Sequence, residues 1–223
     1  MFHRYGKKTQ AHAKSLKDLT KIQTAEHILA EEKRQQLLAQ IEEFTVLEAL
    51  RYDSLCLSHL HLFTNHCQLL PDTLNSYYSQ PGGLLDRALN RTEAALGLFK
   101  NFMIQDENKE YSEEQKLWQY VLFSSGLLQG VGKLVSDLSV DLYDANGQFL
   151  KQWNPLLENL VLFGSHYAYT FLKEGEADFR RRLNVLLAKQ LIPNSGFAWI
   201  VSQREVLEVW LALLNEDLYS AGT

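Results

Sequence analysis

The sequence predicts an all-α fold, mainly helical, with one small β-hairpin insert. Three observations carry this. Apolar side chains recur at i, i+3/i+4 spacing through most of the chain. The period switches once, near 138–153, to alternation around an Asn146-Gly147 turn. Prolines and glycines sit at the borders of these patterns more often than inside them. The 223 residues suit one sizeable domain, since domains typically run ~100–200 residues. With 46% hydrophobic and 22% charged residues the chain is too apolar for wholesale disorder.

The elements follow in order. Residues 1–40 read as a basic arm leading into an exposed helix over Glu26 to Gln40, and residues 41–223 as a single helical domain. Phe44 to Leu70 carries Leu47, Leu50, Leu55, Leu57, Leu60, Leu62, Phe63 and Leu69, a buried helix that Pro71 terminates. Asp72 to Pro81 has no apolar period and contains the turn formers Asn75 and Ser76, so it reads as a loop. A helix opens at Pro81-Gly82-Gly83 and shows a face of Leu84, Leu85, Ala88, Leu89, Thr92, Ala95, Leu96 and Phe99. Gln105 to Glu114 is a charged loop, and Leu117 to Val135 an apolar helix interrupted by glycines. Leu138, Val140 and Leu142 alternate with polar residues, Asp144 to Gly147 turns, and Phe149, Lys151 and Trp153 return. Leu156, Leu160, Phe163, Tyr167 and Phe171 step by three and four, which predicts a further helix. Arg180 to Leu191 precedes Pro193, and Val206, Val209, Trp210, Leu213 and Leu214 mark the last helix.

Charge is uneven. The chain is −5 overall, yet residues 1–21 carry Arg4, Lys7, Lys8, Lys14, Lys17 and Lys21 against Asp18, a net of +5, and the remainder is −10. An acidic body argues against coating nucleic acid. The arm, with Arg4, Lys7 and Lys8, and the triplet Arg180-Arg181-Arg182 are candidates for holding an acidic partner. No run approaches ~18 apolar residues, so no membrane span is expected. The opening MFHRYGKKTQ lacks the apolar core of a signal peptide, and two cysteines cannot build a disulfide framework. A cytoplasmic protein, membrane-associated only through partners, is the expectation.

Most constellations that suggest chemistry fail on spacing. Cys56, His59, Phe63, His66 and Cys67 share one helical face, but His59 and His66 stand two turns apart, ~10 Å at ~1.5 Å per residue. A single zinc needs its ligand atoms within ~2.0–2.3 Å. The segment from Gly126 to Lys133 looks like a phosphate loop, but Leu127 stands where a glycine belongs and Leu134 where the metal-binding hydroxyl belongs. No Gly-x-Ser-x-Gly elbow exists. The carboxylate pairs Glu113/Glu114 and Asp141/Asp144 lie in polar, exposed stretches.

Three segments rise above a generic helical domain: Tyr77-Tyr-Ser-Gln-Pro-Gly-Gly-Leu-Leu-Asp-Arg87, Leu127-Leu-Gln-Gly-Val-Gly-Lys133, and Asp144-Ala-Asn-Gly147 leading to Trp153-Asn-Pro155. In order and spacing they resemble the N-terminal domain of MobH-class conjugative relaxases, which is similar to the HD-phosphohydrolase fold. The resemblance covers residues 40–215. It implies an HD-like helical domain in which paired histidines, a helix histidine and a His-Asp dyad would hold divalent metal. Those positions are here Tyr77 and Tyr78, then Arg87, then Gln129 and Gly130. Pro81, Gly82, Gly83, Gly132, Lys133 and Asp137 keep the family's structural punctuation.

The chemistry implied for the family needs imidazole and carboxylate to hold a metal that generates hydroxide. Tyrosine and glutamine are poor ligands, glycine is none, and Arg87 is a cation. Beyond His66 only His166 remains. The expectation is therefore a non-enzyme with no cofactor: an interaction subunit whose partners are other protein subunits of a type IV secretion coupling complex or conjugation machine. The alternatives are a metal-dependent phosphohydrolase or nuclease with atypical ligands, and a DNA-binding relaxosome accessory protein.

Overall fold

The computed structural model describes residues 13–103, 110–173, 176–217 and 219. The expected class holds: a mainly helical protein carrying a small antiparallel sheet. A 3-10 turn (Leu16–Asp18) and strand β1 (Thr20–Lys21) are followed by α1 (Ala25–Leu29) and α2 (Glu32–Phe44). Next come α3 (Ala49–Tyr52), a π-helical segment (Asp53–Leu57) and α4 (Ser58–Cys67), a continuous rod shorter than the helix expected over 44–70, since Phe44 closes α2 and Leu50 faces solvent. α5 (Gly83–Phe102) packs along α2 and α6 (Glu113–Leu128). After α6 the chain makes a tight turn into α7 (Lys133–Ser136), the hairpin β2 (Leu138–Tyr143) and β3 (Phe149–Gln152), and then β4 (His166–Phe171). α8 (Ala177–Leu191), α9 (Asn194–Val201) and α10 (Arg204–Leu214) complete the domain.

Two expectations need correction. The 4-3-4-4 stepping from Leu156 to Phe171 is not helical: a short 3-10 turn at Leu160–Leu162 is followed by β4, which pairs with both β2 and β1. Tyr167, Tyr169 and Phe171 also alternate at period two, and pairing with the apolar face of β2 (buried Leu138, Val140 and Leu142) selects that reading. The hairpin is thus half of a four-stranded antiparallel sheet in the order β1-β4-β2-β3. Its turn is as expected: Gly147 has φ +76° and the Asp144 carboxylate accepts the N–H groups of Asn146 and Gln148, both at 2.8 Å.

The second correction concerns the stretch expected as an exposed helix over 26–40. It is broken at residues 30–31, and its second half buries Arg34 and Ile41 against α5. Within the basic stretch of 1–21, Lys14 donates its N–H to the Gly147 carbonyl at 3.0 Å, and Thr20 and Lys21 pair with Tyr167 and His166. Arg4, Lys7 and Lys8 lie outside the described residues. No helix among the described residues is long and apolar enough to cross a membrane.

The core is a single cluster running from Ile28 through the faces of α4, α5 and α6 to Trp210 and Leu214. Cys56, His59, Phe63, His66 and Cys67 all fall inside it, so that face of the rod is packing surface. Burial pushes both thiols up and both imidazoles down, His59 to about 3 and His66 to about 4.

The Pro81-Gly82-Gly83 punctuation has a steric cause. Gly82 stands at φ +80°, and a Cβ there would lie 2.2 Å from Nη2 of buried Arg34; a Cβ on Gly83 would lie 2.0 Å from the Tyr78 carbonyl oxygen. Gly82→Val is expected to destabilise the domain by about 1–3 kcal/mol through backbone strain, and by more because Arg34 has to move. Urea unfolding checks this, and an unshifted midpoint would contradict it.

Candidate functional site

The loop between α4 and α5 presents Asp72. Its N–H donates to the Tyr78 carbonyl at 3.0 Å, and its side chain is almost fully buried. Oδ2 accepts from Arg87 Nη1 at 2.6 Å and from Lys133 Nζ at 2.9 Å. Arg87 comes from the second turn of α5 and Lys133 from the start of α7, so one carboxylate ties together two motifs far apart in sequence.

The α6–α7 turn is built to bring Lys133 there. Gln129 ends α6, its Nε2 donating to the Leu213 carbonyl at 3.2 Å. Gly130 then turns at φ +83°, with no atom within 4 Å of where a Cβ would be. Gly132 lies so close to α8 that a Cβ would stand 2.3 Å from the Arg180 carbonyl oxygen. Buried Asn184 brackets the turn, its Oδ1 accepting the Gly132 N–H at 2.8 Å and its Nδ2 donating to the Leu214 carbonyl at 2.9 Å.

These contacts surround a cavity of about 500 Å³ lined by Arg87, Arg91, Gln129, Gly130, Lys133, Ala177, Arg180, Arg181 and Glu216. Three of the five positions read as a vanished metal site, Arg87, Gln129 and Gly130, therefore converge on one concavity. Tyr78 stands close enough to Arg91 to interact with its charge. Tyr77 is exposed, packs edge-on to Tyr78 at 5.0 Å between ring centres, and does not line the cavity. Lys133, read as punctuation, and Arg180 and Arg181, read as a partner surface, join the same wall, whereas Arg182 is exposed and outside it. Asp137, at the end of α7, accepts from Arg180 Nη1 at 3.4 Å and from the Ser136 hydroxyl at 2.6 Å.

Two residues of the site escaped sequence reasoning. Asp72 sat in a stretch read only as loop. Arg91 lies on α5 beside its apolar face, where no local pattern marks it as part of a site. Arg91 donates through Nε to the Gly126 carbonyl at 2.7 Å and through Nη2 to the Gln129 carbonyl, so it caps the C-terminal end of α6. Burial first, and then the neighbouring Arg87, lower its pKa to about 10. It is a cation at neutral pH.

The fit to a divalent metal is poor. A hard or borderline cation needs carboxylate oxygens or imidazole nitrogens converging within ~2.0–2.6 Å. Here arginine and lysine occupy that space, and the nearest buried carboxylate, Asp72, already accepts from two of them. Among the described residues no group of three or more His, Cys, Asp or Glu is placed to hold a metal ion.

A mainly helical domain with this glycine punctuation and a small sheet after the second motif defines a conjugation-related, relaxase-like class. Within it, the chain belongs to the TraI_2 family, described as "Putative helicase", whose model matches residues 19–220. Comparison with curated proteins finds no match.

Proposed function

We propose that this chain is a non-catalytic interaction subunit of a bacterial type IV secretion coupling complex or conjugation machine. The finer form of the proposal is a DotY-like accessory subunit of a Dot/Icm-type coupling complex, held at the cytoplasmic face of the inner membrane by other protein subunits. That step is argued by analogy between related secretion and conjugation machines, since a fold alone does not settle a function.

One observation carries the non-catalytic reading. Where imidazole and carboxylate ligands are expected stand Tyr77, Tyr78, Arg87, Gln129 and Gly130, and Arg87 puts on the cavity wall a positive charge that repels the cation that would activate water. The test is metal analysis of the purified chain together with a phosphodiesterase assay. The expected result is no stoichiometric divalent metal and no activity above that of a denatured control. Bound metal, with activity lost in Gln129→Ala or Tyr78→Phe, would replace the proposal with the atypical-ligand enzyme. A DNA-binding accessory role would instead appear as duplex affinity falling with salt at a log–log slope of about −0.9 per phosphate contacted.

The basic arm is the proposed docking element. Because Thr20 and Lys21 belong to the sheet, the informative truncation removes residues 1–12 and spares them. It is expected to weaken capture of partner subunits in a pull-down while the circular dichroism spectrum stays unchanged. Undiminished capture would remove the arm from the proposal.

A further inference from the structure

The cavity on α5, the α6–α7 turn and α8 is more than the remnant of a metal site. Five cations line it, Arg87, Arg91, Lys133, Arg180 and Arg181, against one lining carboxylate, Glu216. Three of the carboxylates that pair with these cations stand off its wall. Asp72 and Asp137 line a neighbouring cavity behind Lys133 and Arg180, and Asp178, paired with Arg181 at 3.3 Å, is largely exposed to water. The two side-chain hydrogen bonds of Arg91 go to neutral carbonyls, and the carboxylates of Asp72 and Glu216 act on its charge only through space. A buried cation so placed is costly unless an anion completes it.

We infer that this cavity binds a compact, multiply charged phosphoanion of the pyrophosphate class, free or as the polyphosphate group of a nucleotide. Several guanidinium groups converging on a polar concavity match the several oxygens of such a group by charge-assisted, bidentate hydrogen bonds. A carboxylate side chain offers two oxygens, fewer than the donors of this wall can engage. Among the described residues no aromatic ring lines the cavity, so recognition falls on the phosphates and leaves a base unread. Gly130 adds open backbone at positive φ, giving close approach without a side chain in the way. The inference rests on the non-catalytic reading of the same site, because the ligand is held and not cleaved.

Calorimetric titration of the full chain after chelator treatment tests it, with pyrophosphate and adenosine triphosphate as probes and sulfate and a single-stranded oligonucleotide as comparisons. The expected result is saturable binding of one or both phosphate probes, with sulfate weaker. Arg87→Gln and Arg181→Ser, both at partly exposed side chains, should each weaken binding about 10-fold while retaining the wild-type melting temperature to within a few degrees. Binding of adenosine triphosphate without pyrophosphate assigns the nucleotide source, and equal binding of both assigns the phosphate group itself. No binding at millimolar concentration, binding indifferent to both variants, or binding of the oligonucleotide alone would each overturn the inference. Turnover of the bound nucleotide would leave the site assignment standing and overturn the non-catalytic reading, so the two failures are distinguishable.

Discussion

Replacing Arg34 with methionine is expected to lower the unfolding free energy by about 3–5 kcal/mol, the range for breaking a buried ion pair by removing one partner. Arg34 Nε donates to Asp86 Oδ1 at 2.8 Å, and both side chains are nearly inaccessible, at 3% and 6% exposure. Nη1 donates to the Ile28 carbonyl at 3.0 Å and also reaches Glu31 at 2.6 Å. One guanidinium thus joins the end of α1, the start of α2 and the first turn of α5. Without it, Asp86 keeps only a 3.3 Å bond from Gln80, an N–H donor of its amide, and a distant Lys33. The partner left behind, not the lost attraction, dominates the cost. Arg34→Met combined with Asp86→Leu should therefore recover much of the loss. Urea unfolding of the single and double variants measures both numbers. A loss under about 1 kcal/mol, or a double variant no better than the single one, would show that the pair is not the clamp described. Because Arg87 follows Asp86 directly, the clamp also fixes how α5 presents its cation to the cavity.

The second large effect is acid sensitivity. His59 and His66 are fully buried, their ring nitrogens have no hydrogen-bond partner among the described residues, and they touch the rings of Phe123 and Trp153 edge-on. Their folded pKa values of about 3 and about 4 lie below the ordinary value near ~6.5. Above pH 6.5 both states hold these imidazoles neutral and they contribute nothing to the pH dependence. As the pH falls below that point the unfolded chain takes up protons that the folded chain refuses, so stability falls. Each imidazole contributes about 1.4 kcal/mol per pH unit, which makes about 4 kcal/mol for the pair at pH 5. Unfolding in urea at pH 7, 6 and 5 should show this slope, and His59→Gln should roughly halve it. A flat profile between pH 7 and 5 would mean that the rings reach water or a partner.

Much of the architecture was legible in the sequence because it is encoded locally. The i, i+3/i+4 faces of α5 and α10, the alternation of Leu138, Val140 and Leu142, and the Asn146-Gly147 turn are short-range patterns with a direct physical meaning. β4 was misread because its aromatic steps fit two periods, and the strand that decides between them, β2, lies over twenty residues earlier. β1 offered only Thr20 and Lys21, too short to carry any period. Arg34 was lost in a polar stretch, since nothing local distinguishes a buried arginine from a solvated one; only Asp86, fifty-two residues on, makes that difference.

For the site, the sequence alone determined which side chains are on offer: Tyr77, Tyr78, Arg87, Gln129 and Gly130 bring neither imidazole nor carboxylate, and side-chain donors are a property of composition. Only the tertiary structure decided what gathers around them. Arg87, Arg91, Lys133 and Arg181 reach one cavity because a turn at positive φ, a glycine pressed on the α8 backbone and a buried carboxylate draw three distant helices together. Charges interact through space and not along the chain, so their sum at a point becomes visible only after folding has set the distances.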